Sequence, residues 1–332
     1  MRLCMIGDRG HNDYVLAGLE EMPHVRVVGL SPGTEEDDID RLRAWCAGHG
    51  HSPRVFADYR RMLDELAPEV LSVCGPFELH AEMCLEAFRR GIHVFCEKPV
   101  ATTLEDLEAL RAAHGEAGVH FAAMMGLRYD PAFYTAWQAV RAGAIGVVRL
   151  VNTRKSYKLG HRPAYYRRRE TYGGTIPWVG SHAIDWIHWF SGESFLSVYA
   201  THSARYNRDH GDLEVSALCH FVMTNEVLAS ASIDYFRPAN APTHGDDRLR
   251  VAGTDGVVEV RGGQVLLIND ETDGEESLAP ACDRQIFCDF IGHVQGRATA
   301  LLGAEETLAV TEACLLARQS ADEGQPVDFA SA

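Results

Sequence analysis

Over the first 125 residues short apolar runs alternate with amphipathic stretches, and the two periods lay out a series of strands and helices. "RLCMIG" (2–7) reads as a strand, "YVLAGLEEM" (14–22) as a helix and "VRVVGL" (25–30) as a second strand. The acidic stretch "EEDDIDRLRAWCAGHG" (35–50) reads as a helix ended by glycine, followed by the short strand "RVF" and the helix "RRMLDELA". Then come the strand "EVLSVCG", the helix "ELHAEMCLEAFRRG", the strand "IHVFCE", the helix "TLEDLEALRAAHGEAG" and the strand "HFAAMMG". Strands separated by helices predict parallel β-α-β units. Right-handed crossovers turn these into a doubly wound sheet whose ligand lies at the carboxyl ends of the strands.

After the helix "PAFYTAWQAVRAG" (131–143) the texture changes. "VRLVNTRKSY" (148–157), "LSVYATHSAR", "SALCHFVM" (216–223) and "VLASASIDYF" read as strands, and "DRLRVAGTDGVVEVRGGQVLLIND" adds hairpin turns at Thr254 to Gly256 and at Gly262 and Gly263. These predict an α+β second domain on a large, open, mostly antiparallel sheet, and two amphipathic helices close the chain. At 332 residues the chain exceeds the size at which single cores stop growing. The expected division is 1–125 and 126–332, with the C-terminal helix packing back on the first domain.

Charge then narrows the partners. A net charge of −16 argues against a nucleic acid or an anionic membrane, which demand a positive field. Asp8 and Arg9 interrupt the first ten residues where a secretory leader would carry its apolar core, and no apolar run is long enough to cross a bilayer. A cytoplasmic protein is expected. The nine cysteines, from Cys4 to Cys314, include no C-x-x-C pair and read as reduced core thiols rather than a disulfide framework or zinc site.

Candidate chemistry begins at the first turn. Gly7 ends the first strand and Gly10 opens the first helix, where backbone amides and the helix dipole can hold a pyrophosphate. The G-x-G-x-x-G pattern is incomplete: with Gly7 first, the second and third positions are Arg9 and Asn12, and with Gly7 second, the first is Met5. Ser31 stands 24 residues beyond Gly7, where an NAD enzyme would place its ribose-binding acid, and the run Glu35 to Asp38 reads as a solvated helix start. The choice between NAD and NADP stays open. Further along, the strand "GIHVFC" ends in Glu97, Lys98 and Pro99; the proline biases Lys98 to an extended conformation and delivers its ammonium to a strand tip. Taken alone, Glu-Lys-Pro reads first as a strand end capped in solvent.

In "GSHAIDWIHWF" His182 and Asp185 lie three apart on one helical face, with His188 three further on. Imidazole suits proton transfer near neutral pH, and an isolated histidine here is also a plausible core residue. As metal ligands the three would spread over roughly 120° of the helix, too wide for one ion, so no metal is expected. A basic segment runs from Arg154 to Arg169 and leads into "ETYGGTIPW", whose Gly173 and Gly174 permit a mobile loop near His182. Its arginines read either as a solvated or salt-bridged edge or, with a tyrosine, as the holder of a carboxylate or phosphate.

Taken together, "VCGPFELHAEMCLEAFRRGIHVFCEKPVATTLEDLEAL" (73–110) resembles the Gfo/Idh/MocA family of NAD(P)-dependent oxidoreductases, with Pro76 and His80 ahead of a strand ending in Glu-Lys-Pro. "GLRYDPAF", "GGTIPWVGSHAIDWIHWFSG", "VAGTDGVVEV" and "ARQSADEGQPVDF" follow the family's order along the chain. The resemblance implies an N-terminal Rossmann domain and a C-terminal sheet that often forms the oligomer interface, here a homodimer or homotetramer. It implies NAD or NADP held by Gly7, Arg9, Gly10, His11, Ser31, Cys74, Pro76, His80, Glu97 and Lys98. It places Lys98 between nicotinamide and substrate hydroxyl, and gives His182 as general acid/base and Asp185 as a substrate ligand; from the basic segment, Arg167 and Tyr172 are the candidates to hold an anionic group of the substrate. Where many members carry an aspartate four residues before the histidine, this chain has Trp178, which trades a hydrogen-bond acceptor for a stacking face. The implied activity is hydride transfer between a nicotinamide and a secondary hydroxyl of a sugar, sugar derivative or cyclitol. Two alternatives remain beside it: a redox-neutral relative using transient oxidation for elimination, epimerisation or glycoside cleavage, and a catalytically silent sugar or dinucleotide sensor.

Overall fold

The predicted succession of strands and helices forms one parallel sheet in the computed structural model, which describes residues 1–330. In chain order the elements are β1 (Arg2–Ile6), α1 (Asn12–Glu21), β2 (Arg26–Ser31), α2 (Asp40–Gly48), β3 (Arg54–Val55), α3 (Tyr59–Leu66), β4 (Val70–Val73), α4 (His80–Phe88), β5 (His93–Cys96), α5 (Leu104–Ala117) and β6 (Phe121–Ala123). The strand order is β3-β2-β1-β4-β5-β6, the doubly wound Rossmann arrangement. Leu3, Cys4, Met5 and Ile6 of β1 and all of β4 are buried, the continuous apolar signature of a strand covered on both faces. Helix starts follow capping chemistry: Asp58 accepts from the Arg60 amide ahead of α3, and Thr103 from the Asp106 amide ahead of α5.

One boundary departs from the sequence reading. The acidic run Glu35 to Asp38 precedes α2 rather than starting it, because the Asp37 carboxylate accepts from the Thr34 amide at 2.9 Å and the Thr34 hydroxyl at 3.1 Å. Such side-chain bonds hold the backbone in a turn at the expense of helix. The Asp37 side chain is only 7% exposed, so the run is not simply a solvated helix start.

The second region holds α6 (Pro131–Arg141), β7 (Val148–Tyr157), α7 (Arg169–Tyr172), α8 (Ser181–Ser191), β8 (Phe195–Ser203), β9 (Ser216–Met223), β10 (Leu228–Asp234), β11 (Gly245–Gly253), β12 (Gly256–Arg261), β13 (Gln264–Asn269) and β14 (Glu276–Leu278). The chain closes with α9 (Ile286–Val294), α10 (Ala304–Glu323) and β15 (Val327–Asp328). A nine-stranded sheet runs β14-β13-β12-β11-β7-β10-β9-β8-β15, antiparallel throughout except where β10 lies parallel to β7. On β7 the buried Val151, Thr153 and Lys155 alternate with Asn152 and Arg154, and α8 packs on β7, so odd positions form the inner face. The outer face carries Leu218, Tyr199 and Leu228 to solvent.

By compactness the chain divides into Met1–Gly126 with Arg284–Thr311, and Leu127–Asp283 with the chain from Glu312 onward. Within the first unit Phe95 of β5 stacks on Phe290 of α9 at 5.2 Å, and the Gln285 side chain donates to the Tyr14 carbonyl at 2.6 Å. No helix among the described residues is long and apolar enough to cross a membrane.

Candidate active site

Both glycines of the first turn are required by their surroundings. Gly7 and Gly10 have φ of +71° and +81°, and a Cβ would lie 2.5 Å from the Cys74 carbonyl at Gly7 and 2.5 Å from the Glu97 carboxylate at Gly10. The turn is sewn to neighbouring strand ends by Gly7 N–H donating to Ser31 O and Arg9 N–H to Cys74 O, each at 2.8 Å. Asn12 stands where a third glycine is expected, and its buried amide donates to the Gly7 carbonyl at 3.0 Å. No side chain caps α1. Close backbone approach and an uncapped helix start are what a pyrophosphate needs, so the residues present fit a dinucleotide despite the broken motif.

The Glu-Lys-Pro tip is not in solvent. Glu97 is fully buried and Lys98 is 3% exposed. The Glu97 carboxylate accepts from the His11 amide at 2.6 Å, the His11 ring at 2.8 Å and the Lys98 amide at 3.0 Å, and the Lys98 ammonium lies 4.0 Å away. Burial alone would raise this carboxyl; the charge and hydrogen bonds of His11 and the Lys98 ammonium outweigh it and hold Glu97 below its ordinary value. The result is a fixed anion that ties the nucleotide turn to the lysine. The Lys98–Pro99 peptide is cis. The Pro99 carbonyl meets one ring nitrogen of His80 at 2.9 Å and the Gly75 carbonyl meets the other at 3.0 Å. Burial lowers the His80 pKa against the pull of those carbonyls. Cys74, Ser31 and His80 are wholly buried and shape the strand ends, while Pro76 packs against Gly33.

In the second unit His182 and Asp185 sit on the first turn and a half of α8, both buried. A single π-helical turn, Ile176–Gly180, precedes them and contains Trp178, a feature that recurs at functional sites. Asp185 is spent on a partner the sequence reading did not assign. Arg128 donates Nε to both carboxylate oxygens at 3.0 Å and Nη2 to Oδ1 at 2.6 Å, with both residues buried. Arg128 lies in the quoted "GLRYDPAF", but nothing in its spacing names Asp185, 57 residues on.

The expected mobile loop is instead a buried, anchored segment. Residues 172–180 are all buried, and Glu214 collects the Tyr172 hydroxyl, an Arg169 guanidinium N–H and the Thr175 amide, the last at 3.0 Å. Arg318 donates to the Gly173 carbonyl. The double glycine serves turns with φ of +81° and +107° rather than mobility. The basic segment is mostly consumed: Arg169 by Glu214 and Asp322, Arg154 by Asp246, Lys155 by Asp247. Arg167 is exposed, with its carbonyl taken by the Asp212 amide, whereas Arg162 lies over the Tyr235 ring at 4.8 Å. Tyr166 stands 5.9 Å from Trp178, so an aromatic wall reaches the turn before His182. Among the described residues no cluster could hold a metal ion.

Residues 36–125 match the model of an oxidoreductase family with an NAD-binding Rossmann fold, and residues 133–259 match the GFO/IDH/MocA C-terminal domain. A solved structure of a putative oxidoreductase from Thermotoga maritima is 47% identical, with a TM-score of 0.95 over 99% of this chain and 100% of that one. The uncharacterized oxidoreductase YrbE of Bacillus subtilis is 28% identical over 72% of this chain and 67% of its own length. Inositol 2-dehydrogenase of Ralstonia nicotianae is 26% identical over 85% of each chain. The match reaches both units and nearly every residue, and the chain belongs to the Gfo/Idh/MocA family of NAD-binding oxidoreductases.

Proposed function

We propose that the protein moves hydride between NAD and a secondary hydroxyl of a sugar, sugar derivative or cyclitol. The observation that carries this reading is the Lys98 ammonium, buried at the end of β5 and braced by a Glu97 carboxylate that also grips the nucleotide turn. When bound, NAD supplies the hydride acceptor. Lys98 orients the substrate oxygen and stabilises negative charge developing on it, and His182 takes the hydroxyl proton. Trp178 offers a stacking face for a sugar ring. Asp185 acts through Arg128 by holding the guanidinium in place, Tyr172 acts through Glu214, and Arg167 is left for a substituent at the solvent edge. The likeness to an inositol 2-dehydrogenase supports the substrate class.

NAD is favoured over NADP. Arg9 is ion-paired with Asp37 at 2.6 Å and Arg41 with Asp8 and Asp13, so both arginines are neutralised by neighbouring acids beside the acidic run Glu35 to Asp38. A 2′-phosphate would enter a negative field. We also assign the outer face of the nine-stranded sheet to a second copy of the chain: Leu218 is 62% exposed there and lines one groove with Tyr199, arginines 154, 248 and 250 and Glu259.

The test is NADH formation from NAD with a panel of hexoses and cyclitols including myo-inositol, alongside melting temperatures with NAD and NADP. Expected are turnover of at least one polyol and a shift with NAD exceeding that with NADP. Failure of every polyol to yield NADH, or to drive exchange of label into bound NAD, overturns the reading. Leu218→Glu should reduce the oligomer to monomers in sedimentation.

A further inference from the structure

The inner face of the nine-stranded sheet carries a lysine where its pattern calls for a hydrophobe. Val151, Thr153 and Lys155 succeed one another along β7, all buried, and Lys155 is directly opposite Asp247 on β11. Its ammonium donates to Asp247 Oδ2 at 2.5 Å and faces the ring of Tyr157 at 4.8 Å and that of Trp186 at 5.6 Å. One carboxylate and two π faces use the ammonium's capacity. Burial pushes the Lys155 pKa down and the Asp247 pKa up, the strain of keeping such a pair out of water. Buried ion pairs are commonly replaceable by apolar residues without loss of stability, so a function other than stability is the natural reason to look for.

The neighbours supply it. Asp247 Oδ1, the hydroxyl of Tyr235 and the indole N–H of Trp186 are all buried with no hydrogen-bond partner among the described residues. Tyr235 is 3% exposed and Trp186 fully buried. The three belong to one patch: Lys155 touches Asp247, Tyr157 and Trp186, and the Tyr157 and Tyr235 rings are 6.4 Å apart. Buried polar groups are nearly always paired, and three unpartnered polar atoms around one ion pair offer hydrogen bonds that a polar ligand could take. Oδ1 needs a donor, the indole N–H needs an acceptor, and the tyrosine hydroxyl can meet either. A carboxylate or phosphate only accepts and an ammonium only donates; a hydroxyl does both. Trp186 is one helical turn from His182, which places this patch beside the residue proposed to move the proton.

We propose that Lys155, Asp247, Tyr235 and Trp186 form a recognition subsite for hydroxyls of the substrate other than the one oxidised. Its position as part of a substrate site rests on the hydride-transfer reading above. The subsite discriminates between substrates and leaves the chemical step to other residues.

The experiment compares wild type, Tyr235→Phe and the double variant Lys155→Met/Asp247→Leu, which removes both charges together and so avoids stranding one in the core. The double variant should melt at or near the wild-type temperature and keep the shift given by NAD. In wild type, myo-inositol or a hexose at high concentration should raise the melting temperature while cyclohexanol, with a single hydroxyl, should not. The double variant should lose the polyol shift, and for any polyol that wild type turns over its KM should rise at least tenfold, with kcat falling less. Tyr235→Phe should show the same split at smaller size. A polyol shift retained in the double variant overturns the subsite, as does the absence of any polyol shift in wild type. A polyol shift that the double variant erases, with no NADH formed by wild type, upholds the subsite and rejects the hydride-transfer reading instead.

Discussion

The nucleotide turn of the first unit and the α8 region of the second are built by different means. Around Gly7 and Gly10 the construction is largely backbone: strand ends at Ser31 and Cys74 accept amides, and the main side-chain anchor, Glu97, takes two of its bonds from backbone N–H groups. Around α8 it is side chain on side chain, with Arg128 on Asp185, Arg169 and Tyr172 on Glu214, and Lys155 on Asp247. A backbone-built site tolerates many side chains but few changes of conformation. A site of buried pairs tolerates paired replacement and punishes single ones.

The largest effects should come from splitting a pair. Arg128→Met or Asp185→Leu alone leaves a buried charge uncompensated and should cost about 3–5 kcal/mol in chemical denaturation, while the two together should recover most of that. If the double variant is as unstable as either single one, the contrast between the units fails at its second half. Lys98→Met should act on chemistry instead of folding: turnover should fall on the order of 10³-fold, about 4 kcal/mol of barrier, with NAD affinity by calorimetry changed only a few-fold. Loss of NAD binding would make Lys98 part of the nucleotide's own cradle.

Gly10→Ala probes the backbone side. Its φ of +81° and the carboxylate of Glu97 in the way of a Cβ predict a loss of about 2 kcal/mol together with weakened NAD binding, while a polyol shift on the second unit survives. Unchanged NAD affinity would show that the turn has freedom its contacts deny.

The same contrast explains what could be read from the sequence. The Rossmann order and the two sheets were legible because they depend on local period, glycine and proline, whereas the Glu-Lys-Pro corner, taken alone, read as a strand end in solvent and gained a role only through the family resemblance of the residues around it. Asp185's partner was not, since Arg128 comes from another element 57 residues away and only the fold brings them together. Glu214 is similar: an acid ahead of β9, with nothing local to say that it gathers Arg169, Tyr172 and Thr175. The double glycine read as mobile because glycine permits motion, yet here it permits buried turns. A signal was present at Lys155, where the period of two puts a charge on the apolar face of β7, and at Asp37, where an acid three residues after Thr34 can close a turn. Both were outweighed by the habit of assigning charge runs to solvent.

Acid should separate the units least strongly but most simply. Burial lowers the pKa of His51, His80, His93 and His120 in the first unit, helped at His120 by His293 and His93, and of His244 in the second. For a base with a lowered folded pKa the native state favours the neutral ring, while the unfolded chain takes up a proton near pH 6.5. Stability is therefore full above about 6.5 and falls as pH drops from there toward the folded value. Glu86 and Glu97, also of the first unit, are held below the ordinary carboxylate range, so their contribution is present above about pH 4.3 and is lost only in stronger acid. Between pH 7 and 5.5 four such histidines act on the first unit, against His244 in the second. Hydrogen exchange, corrected for intrinsic rate, should show β5 and β6 losing protection across that interval while β7 and β10 change less. His120→Gln should flatten the loss, since it removes one of three rings packed within 5.1 Å of a neighbour. Equal losses in the two sheets would mean that the units unfold as one, and the difference in how their sites are built would then have no counterpart in how they come apart.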